Sequence, residues 1–117
     1  MDRDSLGSAR HQLAKLARRR KCRVLGWPRD WRPGSVLDPK TGKPFTEAAA
    51  WEFIAEVLET TNVALEAVEM REPGSGGKTG YVLLVPTGER RIYIKLQLGA
   101  GRVIGRSFHY SEFSSFE

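Results

Sequence analysis

The chain has 117 residues, a formal net charge of +5, 40% hydrophobic residues and 28% charged residues. That length suits one domain able to bury its own core, and that composition excludes a disordered polymer. No apolar run approaches the ~20 residues of a membrane span, the N-terminal residues lack the apolar stretch of a signal peptide, and the single cysteine, Cys22, leaves no internal disulfide and fits a reducing cytoplasm.

The charge is uneven. Residues 1–44 hold 12 Lys/Arg against 4 Asp/Glu, whereas residues 45–117 hold 7 against 10. A clustered basic segment on a mildly acidic body points to a polyanion or an acidic protein as partner. A solvated basic helix without a partner is the plainer alternative.

Residues 5–20 read as a helix, with Leu13, Leu16 and Ala17 on one apolar stripe and Asp4 or Ser5 as its cap. It runs into Arg18, Arg19, Arg20, Lys21 and Arg23, cations that suit a helix C-terminus. Residues 25–45 carry Gly26, Pro28, Pro33, Gly34, Pro39, Gly42 and Pro44, so they read as a loop with a turn over Asp38–Gly42. Trp27, Trp31 and Phe45 are expected to anchor that loop by packing. Thr46 is a credible N-cap for a helix over 47–60. Its core face is Trp51, Ile54, Ala55 and Leu58; Glu52, Glu56 and Glu59 lie opposite, as a solvated side.

The period then changes to two. Strands are expected over 63–70, 81–85, 91–98 and 103–110, separated by a flexible loop at Glu72–Gly77 and by Gly-containing turns at 86–89 and 99–101. The order of elements gives an α+β fold, with N-terminal helices packed on a small antiparallel β-sheet. All of residues 1–117 form one domain: a basic helix and a Pro/Trp-rich loop over 1–45, and the helix-and-sheet core over 46–117.

Two kinds of site fail on spacing. Gly77-Lys78-Thr79 lacks the first glycine of a phosphate-binding loop, since Glu72 stands there, and a strand follows where that loop needs a helix. His11 and His109 are the only histidines and Cys22 has no nearby ligand, so no metal set is spelled out.

The last two strands carry more. In 91–98, Ile92, Ile94, Leu96 and Leu98 alternate with Tyr93, Lys95 and Gln97. In 103–110, Ile104 and Phe108 are the strongest apolar pair and are expected at the core, with Val103, Gly105, Ser107 and His109 outward. Antiparallel pairing then brings Tyr93, Lys95, Ser107 and His109 onto one surface. Strict alternation aims Arg106 inward; a bulge at Gly105 would re-aim it, or it would sit at a sheet rim. RNA cleavage by the 2′-hydroxyl needs a proton acceptor, a proton donor and cations for the charge on phosphorus. Histidine suits either proton role, Lys95 and Arg106 suit phosphate, and Tyr93 suits stacking or hydrogen bonding. An exposed sheet face explains the same residues equally well.

The segment Arg91-Ile92-Tyr93-Ile94-Lys95-Leu96-Gln97-Leu98, followed by Val103-Ile104-Gly105-Arg106-Ser107-Phe108-His109, resembles the end of toxins of the motility quorum-sensing regulator (MqsR) family. The likeness spans roughly residues 47–112. It implies a RelE/barnase-like fold and a metal-independent endoribonuclease toxin of a type II toxin–antitoxin system, without cofactor. Its substrate would be single-stranded RNA, foremost mRNA, free or on the ribosome, and its protein partner a cognate antitoxin. By the match Tyr93 takes the family's catalytic tyrosine position and His109 that of its C-terminal lysine. Lys95 and Arg106 would stabilise phosphate. Lys78, Arg90 and Arg91 stand in for upstream family positions that contact RNA, beside Ser107. Residues 1–45 have no counterpart there; Arg18, Arg19 and Arg20 would grip RNA backbone or receive the antitoxin. The rival readings are a non-catalytic nucleic-acid-binding module and an interaction protein for an acidic partner.

Overall fold

The computed structural model describes residues 3–60, 62–70 and 78–111. The stripe Leu13, Leu16 and Ala17 is buried, and it sits on helix α1 (Arg3–Ala17). Because α1 begins at Arg3, Asp4 and Ser5 lie inside the helix and are not its cap. Helix α2 (Glu47–Thr60) starts at Thr46, whose Oγ1 accepts the Ala49 N–H at 3.0 Å. Trp51, Ile54, Ala55 and Leu58 are buried on it.

Four strands follow α2: β2 (Leu65–Glu69), β3 (Thr79–Thr87), β4 (Arg90–Gly99) and β5 (Arg102–Tyr110). They pair antiparallel in sequence order. Tight turns set the registers. Gly88 takes φ +70 between Thr87 and Arg90, and Ala100 and Gly101 both take positive φ between the paired Gly99 and Arg102. The loop expected over Glu72–Gly77 lies outside the described residues.

A fifth strand, β1 (Arg23–Trp31), precedes α2 and pairs parallel to β5, so the sheet order is β1-β5-β4-β3-β2. This corrects the sequence reading twice: residues 25–31 of the expected 25–45 loop are strand, and the sheet is mostly antiparallel with one parallel edge. Gly26 and Pro28 argue against a central strand, but Pro28 falls where the register shifts between Leu25 and Asp30. A proline is tolerated on an edge strand at an interruption of the ladder, and β1 supplies both conditions.

The core lies between the helices and one face of the sheet. Phe108 is fully buried at its centre, 5.1 Å from Phe45, 5.5 Å from Trp31 and 6.5 Å from Phe53 by ring centroids. Trp31 lies 5.0 Å from Trp51, and the Glu47 carboxylate accepts both indole N–H groups, at 3.1 Å and 2.8 Å. Trp31 and Phe45 thus anchor the Pro-rich segment by packing, and the Asp38–Gly42 turn closes on Asp38 O.

Helix α1 is tied to α2 by arginines. The Arg10 guanidinium donates to the carbonyls of Val57, Leu58 and Val63 at 2.9, 2.7 and 2.7 Å, capping the end of α2. Burial pushes its pKa down from the ordinary arginine value. Arg18 bonds both oxygens of Glu59 and reaches Glu52, and Lys40 pairs with Glu56. Those glutamates are therefore not simply a solvated side. The Arg18 hydrogen bond holds the Glu59 carboxyl below its usual range. These pairs are exposed, so each contributes only ~0–1 kcal/mol. No helix among the described residues is long and apolar enough to cross a membrane.

Close packing of β1 on β5 depends on Gly105. A Cβ there would lie 2.6 Å from Cζ3 of Trp31. Gly105→Ala is expected to destabilise the fold by ~1–3 kcal/mol through overpacking. Gly34→Ala, where a Cβ meets nothing within 4 Å, should stay within ~0.5 kcal/mol of wild type. Urea unfolding of both variants measures the difference.

Candidate functional site

Beyond the helices, the sheet's other face gathers the polar residues of β4 and β5. The register opposes Tyr93 to His109 and Lys95 to Ser107, with Ile94 opposite Phe108 on the core face. Directly opposed side chains lie ~5 Å apart, and successive pairs on one face are ~7 Å apart along the strands. Tyr93 and His109 stack, with ring centroids 5.3 Å apart and planes 22° from parallel. Tyr93, Lys95 and His109 are half-buried and Ser107 is buried.

The ladder shifts between Lys95 and Leu96 of β4. Lys95 opposes Ser107, but Leu96 opposes Gly105, so Arg106 is an extra, bulged residue. Three sequence expectations change with it. Ile104 now opposes Gln97 on the polar face, while Val103 opposes Leu98 and is fully buried. Gly105, opposite Leu96, turns with Val103 to the core side. The bulge also settles Arg106: it points to the polar face, where Nε and Nη2 both donate to Gln97 Oε1, at 3.2 and 3.0 Å. Arg106 and Gln97 are both buried, at 5% and 3% exposure. A buried guanidinium must keep its acceptors, because an uncompensated buried charge is costly. Gly26 makes room for it: a Cβ there would lie 2.9 Å from Arg106 Cζ and 2.8 Å from Ile104 Cγ2.

His109 meets two oxygen acceptors. Nδ1 lies 2.8 Å from the Tyr110 carbonyl oxygen, and Nε2 lies 3.2 Å from Oδ2 of Asp30. Asp30 Oδ1 in turn lies 2.6 Å from Nη2 of Arg32. Asp30 reaches this face because β1 pairs it with Ser107, one position before Trp31 turns inward against Phe108. Sequence reasoning missed Asp30 and Arg32. Their one local signal is the polar–aromatic alternation over Asp30-Trp31-Arg32, which acquires meaning only once 23–31 is a strand.

The remaining candidates are spread over the molecule. Arg91 follows on the Tyr93 side of β4, where its carbonyl accepts the Ser111 N–H at 2.8 Å. The Arg90 guanidinium sits 3.6 Å above the Tyr110 ring. Lys78 is exposed just before β3; extending the β3–β4 register sets it opposite Gly99, about six residues or ~20 Å from Tyr93. Arg18 is engaged by α2 glutamates on the helical side, with the sheet between it and His109. Arg19 and Arg20 are exposed, and Arg20 lines a cavity of about 440 Å³ with Arg23, Thr46, Glu47 and Trp51, also against the helices. The structure therefore brings together Tyr93, Lys95, Ser107, His109 and Arg106, with Arg91 adjoining, and leaves Lys78, Arg18, Arg19 and Arg20 elsewhere. Among the described residues, no group of three or more His, Cys, Asp or Glu side chains converges on a point that would hold a metal ion.

No protein-family model matches the chain, and no curated protein or solved structure matches it significantly.

The Arg106–Gln97 contact gives the bulge a measurable role. Gln97→Leu removes the acceptor of two charge-assisted bonds and is expected to cost ~1–3 kcal/mol in thermal or urea unfolding. A loss below ~0.5 kcal/mol would show that the other contacts of Arg106 suffice.

Proposed function

We propose that the chain is an endoribonuclease that needs no metal, acting as the toxin of a type II toxin–antitoxin pair on a RelE/barnase-like frame. The observation that carries this reading is the stacked Tyr93–His109 pair, one step along the sheet from Lys95 and Ser107. In the proposed reaction the RNA 2′-oxygen bonds to phosphorus, the bond from phosphorus to the 5′-oxygen breaks, and a 2′,3′-cyclic phosphate results. His109 takes the 2′ proton or donates one to the leaving 5′-oxygen, and solvent water makes the other transfer, so that one proton leaves O2′ and one arrives at O5′. Tyr93 holds the imidazole and offers its own hydroxyl to the reacting groups. Lys95 supplies positive charge to the phosphate as it gains negative charge. Arg106, buried against Gln97, shapes the same face by holding the bulge.

The substrate class follows from the chemistry: only RNA carries the 2′-hydroxyl nucleophile. The proposed partners are RNA, mRNA in particular, and a cognate antitoxin that blocks the enzyme. A reducing cytoplasm is the compartment this reading entails. Exposed Arg19 and Arg20, on the helical side, are among the exposed basic residues proposed to meet an acidic partner.

His109→Ala should lower RNA cleavage by ~10²-fold or more, the usual size of an acid–base contribution, and Tyr93→Phe should lower it less. The test is induced expression of wild type and His109→Ala with mapping of RNA 5′ ends, alongside cleavage of purified RNA in EDTA. Equal RNA-end profiles for the two proteins in cells, with no cleavage in EDTA, would sink the reading. If RNA binding with a steep salt dependence persists in that case, the face serves a non-catalytic nucleic-acid-binding module.

A further inference from the structure

His109 has one nitrogen left for chemistry. Its Nδ1 lies 2.8 Å from the Tyr110 carbonyl oxygen. A carbonyl only accepts, so Nδ1 carries the proton of that bond. Nε2 is then the atom that faces a substrate, and it is the atom 3.2 Å from Asp30 Oδ2. A carboxylate that orients a working histidine sits on the nitrogen turned away from the substrate. Here the Tyr110 carbonyl has that place, and Asp30 has the substrate's.

The second oxygen of Asp30 is equally well seated, 2.6 Å from Arg32 Nη2. One anion is thus held by two oxygens between a guanidinium and the His109 ring, which donates from Nε2 as well as from Nδ1 only in its imidazolium form. That is the donor set a phosphodiester uses through its two non-bridging oxygens, at the same single negative charge. Lys95 lies in the same row of the sheet, opposite Ser107, which itself pairs with Asp30.

We infer that Asp30 is an internal anion occupying the phosphate subsite of this face, and that Arg32 with His109 Nε2 is the seat an RNA phosphate takes when Asp30 swings out. The ligand's identity rests on the ribonuclease reading; the closed state and the role of Arg32 go beyond it. Asp30 is placed to move. Its side chain is 50% exposed, against 19% for His109. It also directly follows the register shift of the β1–β5 ladder between Leu25 and Asp30. Two anions do not share one seat at this distance, so phosphate and the closed Asp30 exclude each other.

Titration of the full chain with inorganic phosphate, read by the His109 ring resonances in NMR, tests the seat without any cleavage. Masking lowers apparent affinity by the open fraction, on the order of tenfold if the site is open about a tenth of the time. Asp30→Asn is therefore expected to bind phosphate about tenfold tighter than wild type, with the Nε2 signal moving. Asp30→Ser serves the same test should the Asn amide hold the ring or the Asn variant not fold. Adding Arg32→Ala to either variant should remove most of the gain, as a double-mutant cycle reads directly. The inference is overturned if neither Asp30 variant binds phosphate more tightly than wild type. It is also overturned if the gain persists undiminished without Arg32, since general charge repulsion gives that result. The readout is binding, so uncut RNA would defeat the ribonuclease proposal alone.

Discussion

Between Lys95 and Leu96 on β4 and Ser107 and Gly105 on β5, Arg106 is one extra residue in the ladder, and it governs the polar face. Without it, strict alternation from Phe108 back to Ile104 would keep both on the core side and drive a guanidinium among Ile94 and Leu96. With it, the strand changes phase once. Val103 takes the core position, Ile104 leaves it, and Arg106 turns to Gln97. A bulge costs ladder hydrogen bonds and adds twist. Here that cost is offset by the placing of a cation that has no acceptable position inward.

The same feature couples two neighbouring strands. The β1–β5 ladder breaks between Leu25 and Asp30, and the single Ser107 and Phe108 register resumes beyond it with Asp30 and Trp31. Gly26 lies against Arg106 and Ile104, and Gly105 lies against the Trp31 ring. Each glycine is where the other strand's large side chain comes closest. Trp31 inward on Phe108 and Asp30 outward toward His109 are consecutive residues on one strand. Packing of the aromatic core therefore sets where the carboxylate arrives, and Glu47 fixes that packing from α2 by accepting both indole N–H groups.

Part of the positive charge of the basic N-terminal third is engaged within the fold. Arg10 caps α2, Arg23 donates to the Ala17 carbonyl at 2.7 Å, and Arg18 and Lys40 neutralise the α2 glutamates. These four cations are the complement of an acidic helix and of two helix C-termini, which attract cations through their unpaired carbonyls. Arg19 and Arg20 remain exposed beside these contacts.

Local periodicity determined α2 with its Thr46 cap, the buried stripe of α1, the β2–β5 meander and the shared face of Tyr93, Lys95, Ser107 and His109. Each rests on contacts a few residues apart or on alternation along one strand, and such signals are written in the order of side chains. Strand β1, the inward turn of Val103 and the Asp30–His109 contact were decided by tertiary structure alone. They depend on a parallel pairing between residues about eighty positions apart and on one bulged residue. A chain bearing Gly26 and Pro28 does not announce a strand until β5 is beside it to supply the partner. Arg106 shows the division most plainly: its conflict with alternation was visible in the sequence, and only the buried acceptor on Gln97 gave the conflict its solution.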